Sequence, residues 1–191
     1  MKHRASAMPK IVQAREEFPM EGALRIVAVA DTHGRPHPAL DARLAELAPA
    51  RILHAGDVGD LGVLSDLEKH APVTAVRGNI DGPVLPDQVI VDVRSAGGVL
   101  LRILLTHIAV YGPKLRADVA RTARSEDASL VVCGHSHVPF AAHEKGITVF
   151  NPGSVGPRRF SLPIVLGVID VSETGVAVRH VDCETGLPWK P

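Results

Sequence analysis

The chain has 191 residues, 46% of them apolar and 22% charged, with 21 basic side chains against 21 acidic ones. That length suits one domain, and the mix is that of an ordinary soluble globular protein. Zero formal net charge and 3% aromatic residues argue against a nucleic-acid footprint, an anionic-membrane surface or stacking platforms for single strands.

Residues 1–22 show no periodicity and mix charge with Pro9, Pro19 and Gly22. They read as an N-terminal tail, disordered or lying loosely on the surface, ahead of a single domain over 23–182 and a short tail over 183–191. Met8 and Met20 are alternative starts. No apolar stretch follows Met1-Lys2-His3-Arg4, and none in the chain nears the ~20 residues that span a bilayer, so neither a secretory signal nor a membrane span is expected. Leu24–Ala30 is a short β-branched run that predicts a buried strand, followed at once by Asp31-Thr32-His33-Gly34. Leu40, Leu44 and Leu47 recur at helical spacing, and Pro49 stops that helix. Arg51–Ala55 predicts a second strand, ending in Gly56-Asp57. Leu61, Leu64 and Leu67 predict one apolar face of a helix over 61–70. Val73–Val76 predicts a third strand, ending in Arg77-Gly78-Asn79-Ile80-Asp81-Gly82. This β-α-β-α-β order implies a parallel sheet with right-handed crossovers.

The pattern then changes. Gln88–Arg94 and Val99–Leu105 predict a hairpin around Gly97-Gly98, and the second run ends in Thr106-His107. A polar helix is expected over 114–124. Leu130–Cys133 predicts a strand ending in Gly134-His135-Ser136-His137. Two more hairpins follow, over 140–150 and 164–181, with the Asn151-Pro152-Gly153-Ser154 turn between them. A parallel half followed by hairpins suggests two sheets packed face to face with helices outside. Cys133 and Cys183 stand 50 positions apart and read as two buried, reduced thiols in a cytoplasmic protein. The edges that hairpins leave open would suit a homodimer.

Asp31, His33, Asp57, Asn79, His107, His135 and His137 all lie just past the C-terminal end of a predicted strand. In an open sheet these ends share the edge where ligands bind. Singly each has an ordinary reading: Asp31 as a helix cap, Asn79 and Asp81 as turn residues, His107 as a satisfied buried histidine. Together they require every strand end to carry an unrelated polar group. Glycines at 56, 78 and 134 remove bulk where backbones must crowd. Seven oxygen and imidazole donors exceed the four of one tetrahedral zinc and suit two ions about 3.5–4 Å apart, with Asp57 as the bridging carboxylate. Carboxylate, amide and imidazole without thiolate favour Mn²⁺, with Fe, Zn²⁺ or Ni²⁺ after it, over copper, and the histidines argue against Mg²⁺ or Ca²⁺ alone.

The ordered set Asp31-x-His33, Gly56-Asp57, Gly78-Asn79-x-Asp81, Thr106-His107 and Gly134-His135-x-His137 resembles the calcineurin-like metallophosphoesterase superfamily. With the Asn151 turn and the short length it is most similar to the small YfcE-type phosphodiesterases, over about residues 24–181. The resemblance implies an α/β four-layer α/β/β/α sandwich of two mixed sheets. It implies that Asp31, His33, Asp57 and His137 hold one divalent ion, and Asp57, Asn79, His107 and His135 the other. It implies hydrolysis of a small-molecule phosphate ester, more a diester than a monoester, by a hydroxide bridging the ions.

Asp57, Asn79, Asp81 and His107 then carry the catalytic roles. Asn79 would contact phosphate, and Asp81 would orient a ligand or give a proton. His54 is either a support for this shell or a core histidine, and Arg158 and Arg159 are either a phosphate clamp or a solvated pair. Two positions depart from the wider family: Ile80 stands where many members have a histidine acid, and Ile108 where a glycine is common. Losing that acid predicts faster turnover of aryl than of alkyl esters. The same superfamily includes the retromer small subunit, so a protein-interaction scaffold is the alternative.

Overall fold

Short apolar runs become strands and runs of period 3.6 become helices along most of the chain. The computed structural model describes residues 11–190. Its elements in chain order are β1 (Gln13–Pro19), β2 (Ala23–Val29), α1 (Leu40–Leu47), β3 (Arg51–His54), α2 (Gly62–Leu67), β4 (Val73–Ala75), β5 (Gln88–Ser95), β6 (Gly98–Thr106), β7 (Val110–Tyr111), β8 (Lys114–Leu115), α3 (Ala117–Ser125), β9 (Leu130–Val132), β10 (Phe140–Glu144), β11 (Ile147–Asn151), β12 (Val165–Ser172), β13 (Gly175–Asp182) and β14 (Pro188–Trp189). Two six-stranded mixed sheets result, in the orders β1-β5-β6-β9-β11-β10 and β14-β13-β12-β2-β3-β4, beside a small β7-β8 ribbon.

Three apolar clusters stack these parts into the four layers expected. Ile26, Ala28 and Leu53 of one sheet meet Val89, Val91, Ile103, Leu105 and Phe150 of the other, all buried. The outer face of the second sheet, through Val27, Ile52 and Val168, takes Leu40 and Leu44 of α1 and Val63 and Leu67 of α2. The outer face of the first, through Ile90, Leu104 and Val131, takes Val119 and Ala123 of α3. Strands covered on both faces read as continuous apolar runs, which is why β2, β5 and β6 were plain in the sequence.

Several segments differ from expectation. Residues 1–10 of the expected N-terminal tail lie outside the described residues, but Gln13–Pro19 is a strand, in parallel register with β5 from Gln13↔Gln88 to Pro19↔Arg94. Phe18 and Met20 are buried beneath it, at 2% and 6% exposure. An edge strand needs few apolar residues, because its other positions face water. Pro188–Trp189, expected as tail, pairs with β13. The second helix is shorter than 61–70: Leu61 is 47% exposed, and Val63 joins Leu67 in the core instead. The polar helix begins at Ala117, since Lys114–Leu115 pairs with Val110–Tyr111. Both cysteines are free and buried. No helix among the described residues is long and apolar enough to cross a membrane.

Candidate metal centre

The predicted donors converge, but not on the edge of one sheet. Asp31, Asp57 and Asn79 follow β2, β3 and β4 of one sheet, while His107 and the His135–His137 loop follow β6 and β9 of the other. The two sheets present their C-terminal strand ends side by side, and backbone bonds sew the loops together. Asp31 N–H donates to the Gly56 carbonyl at 2.9 Å, His33 N–H to Asp57 O at 2.9 Å, and Gly134 N–H to His107 O at 3.0 Å. Two further bonds cross between the sheets: His107 Nδ1 to Ala55 O at 2.7 Å and the His135 amide to Asp31 Oδ2 at 3.0 Å.

Crowding of this kind needs missing side chains and unusual backbone. A Cβ on Gly78 would lie 2.2 Å from the Asp57 nitrogen and Oδ1, and one on Gly56 would lie 2.7 Å from His107 Nδ1. Asp31, His33, Asp57, His135 and His137 all take left-handed φ, from 48° to 70°. Each such residue costs of order 1–2 kcal/mol and persists only where its surroundings hold it. The cost falls on the donors that must turn inward.

Two groups of donors result, Asp31–His33–His137 and Asp31–Asp57–His107, each with ligand atoms mutually within 4.8 Å. His137 Nε2 is 3.5 Å from Asp31 Oδ1, His107 Nε2 is 3.4 Å from Asp57 Oδ1, and His33 Nε2 is 3.9 Å from Asp57 Oδ2. The His33 and His137 rings stack with centroids 5.3 Å apart and their Nε2 atoms 3.3 Å apart. His135 sits edge-on to His107 with centroids 5.2 Å apart, and stands outside both groups. Asn79 lines the cavity beside His107.

These residues fit metal ions on two observations. Asp31 Oδ1 and His107 Nε2 are buried without a hydrogen-bond partner, and an uncompensated buried carboxylate oxygen is costly unless a cation meets it. His107 gives its Nδ1 proton to Ala55 O, which leaves Nε2 unprotonated and free to meet a cation, the arrangement common where a carbonyl fixes the tautomer. Burial pushes Asp31 up to about 7, with the Asp57 charge adding to it against the pull of His107. Burial would raise Asp57 too, but His107 and the amides of Ile80 and Asn79 hold it well below the carboxylate range.

The other predicted residues separate clearly. Asp81 accepts from the amides of Val58 at 3.1 Å, Gly59 at 2.8 Å and Gly78 at 2.7 Å, so it ties the Asp57 and Asn79 loops together. His54 accepts from Gly56 N–H at Nδ1 (3.2 Å), so its Nε2–H faces Thr32 Oγ1 at 3.0 Å, and Thr32 passes its own proton to Val58 O. It is a support beneath both aspartate loops. Arg158 binds Leu162 O and Glu184, away from the donors, whereas Arg159 reaches His33 Nε2 at 3.1 Å. Sequence reasoning missed two supports in the Asn151 turn: Asn151 Nδ2 donates to Gly134 O at 2.7 Å, and Ser154 Oγ to Asp31 O at 3.1 Å. The turn was visible in the sequence, but its reach to the histidine loop was not.

Two mixed sheets whose strand ends gather aspartates and histidines define a sandwich fold with a candidate metal centre between the sheet ends. The chain belongs to the calcineurin-like phosphoesterase superfamily, whose domain matches residues 24–174. It is 30% identical over 170 residues to a probable metallophosphoesterase of Methanocaldococcus jannaschii, covering 84% of this chain and 83% of that one. It is also 30% identical over 172 residues to the phosphodiesterase YfcE of Escherichia coli K12, covering 86% and 82%. The structure of Vacuolar Protein Sorting 29 from Cryptosporidium parvum superposes with a TM-score of 0.71 at 18% identity, over 88% of this chain and 96% of that one.

Proposed function

We propose that the protein is a dinuclear metal-dependent phosphodiesterase acting on a small-molecule phosphate ester. The observation that carries this is the pair of buried, unpartnered ligand atoms, Asp31 Oδ1 and His107 Nε2, which stand in the same donor group as Asp57. Asp31, His33, Asp57 and His137 would hold one ion and Asp57, Asn79, His107 and His135 the other, and Mn²⁺ suits such a mixed carboxylate, amide and imidazole set. When bound, the two cations neutralise phosphoryl charge and bring the pKa of water toward neutrality.

The chain's own residues do the rest. Asp57, held as a carboxylate by the Ile80 amide at 3.2 Å, has one oxygen toward His107 and one toward His33, as a bridging ligand must. Asn79, on the cavity wall, presents an amide to the phosphate. Arg159, 3.1 Å from His33 Nε2, is placed where its guanidinium would meet two oxygens of a bound phosphate. Asp81 holds its loop against three amides and is a positioning residue, not the leaving-group acid. Ile80 has no proton to give.

The relatives named as phosphodiesterase and metallophosphoesterase support this reading; a protein-interaction scaffold on the same fold is the alternative. A scaffold can also hold ions, so turnover separates the two. The test is a panel of mono- and diesters assayed on chelated protein with Mn²⁺ added back. Expected is metal-dependent hydrolysis, diesters ahead of monoesters, with Asp57→Asn losing at least about 10²–10³-fold in kcat and one or both ions by elemental analysis. Normal hydrolysis by Asp57→Asn would remove the bridging assignment, and no hydrolysis of any ester would favour the scaffold.

A further inference from the structure

A cavity of about 420 Å³ opens directly off the metal centre, sharing Asn79 and His107 with it. Volumes of this size hold small organic ligands. Its walls differ from the centre in two ways.

First, the charge on the walls is already spoken for. Arg77 Nε donates to Asp87 Oδ1 at 2.5 Å. Arg116 donates to both oxygens of Asp118, at 3.1 and 2.8 Å. With Asp81, the described lining residues hold two guanidiniums against three carboxylates, so among the described residues no unpaired cation faces a second phosphate. The remaining walls include three branched apolar side chains, Ile11, Ile108 and Val119. Ile108 is the departure from the family noted in the sequence.

Second, one wall comes from outside the matched superfamily domain, which begins at residue 24. Ile11 leads into β1 and is 51% exposed at the cavity. The neighbouring Val12 amide donates to Asp87 Oδ2 at 2.8 Å, and Asp87 N–H returns a bond to Val12 O at 2.8 Å. Asp87 therefore fixes Ile11 and Arg77 together, and the added edge strand shapes the space next to the ions.

We infer that this cavity is the subsite for an uncharged organic substituent of the phosphate ester, of about nucleoside size, and that Ile11 is a specificity-determining residue for it. The inference rests on the phosphoesterase reading above and names the class of substrate that site takes. The charged phosphoryl group lies at the metal centre, and the uncharged group extends between Ile11, Ile108 and Val119.

The experiment measures dissociation constants by calorimetry for methyl phosphate, thymidine 5′-monophosphate and thymidine 3′,5′-bisphosphate on Mn²⁺-loaded protein. Methyl NMR on chelated protein gives a second readout. The 5′-monophosphate should bind about tenfold tighter than methyl phosphate and shift the Ile11 and Ile108 methyl signals, while the bisphosphate gains nothing further. Ile11→Asp should remove that tenfold gain and leave methyl phosphate unchanged. Ile11→Trp, which fills the mouth, should do the same. Equal binding of the three ligands by the wild type, tighter binding of the bisphosphate, or a loss in either variant that extends to methyl phosphate overturns the inference. Hydrolysis assays keep the two readings apart. A size preference without turnover of any ester removes the catalytic reading and leaves the cavity; turnover without size preference does the reverse.

Discussion

At the scale of single residues, what is absent matters as much as what is present. Gly78 has no Cβ because Asp57 occupies that space at 2.2 Å, and Ile80 has no titratable group where a leaving-group acid would act. The Ile80 side chain is 53% exposed, while its amide serves Asp57. Its side chain can therefore be exchanged without disturbing that bond. Ile80→His should raise turnover of alkyl diesters toward that of aryl diesters by about 10²-fold or more and flatten the dependence on leaving-group pKa. An equal rise for both ester types, or none, would show that protonation of the leaving group is not what Ile80 withholds.

At the scale of elements, β1 is the part with the largest consequence for its length. It adds a parallel edge to β5 and buries Phe18 at 2% exposure, with the Arg51 guanidinium 5.0 Å over the ring. Truncating a buried aromatic typically costs about 3–5 kcal/mol. Phe18→Ala should lower Tm by roughly 10 °C in a chain of this size while leaving bound metal per folded protein unchanged. Thermal melts with elemental analysis check this, and an unchanged Tm would mean that the strand is not coupled to the core.

At the scale of the whole molecule, folding stability depends on pH through the supports beneath the site. Burial pushes His54 from its ordinary 6.5 down to about 4, so the folded protein holds this imidazole neutral while the unfolded chain protonates it. Its contribution is complete above about pH 6.5 and is lost as pH falls toward 4, by about 3 kcal/mol in total. Asp31, pushed up to about 7, acts with opposite sign in metal-free protein, and His137, pushed by burial down to about 4, with the same sign, so the three must be separated. Denaturant titrations of chelated protein should show stability falling less steeply between pH 6.5 and 4 in His54→Gln than in the wild type. Parallel slopes would mean that His54 keeps its ordinary pKa in the fold.

The chain itself determined the strands covered on both faces, because apolar runs such as Leu24–Ala30 and Val99–Leu105 have nowhere to go but between layers. It also determined the ordered donors, because each directly follows such a run, and each crowding glycine precedes one within two residues. Tertiary structure decided the rest. Gln13–Pro19 looks polar since only one side chain of an edge strand needs burial, so its place depends on finding β5. The donors meet across two sheets instead of along one edge, which no local pattern encodes. Asn151, Ser154 and Arg159 act on residues more than a dozen positions away. Hydrophobic periodicity is a property of neighbours along the chain; the contacts that assemble the centre join residues up to 126 positions apart, and only packing brings them together.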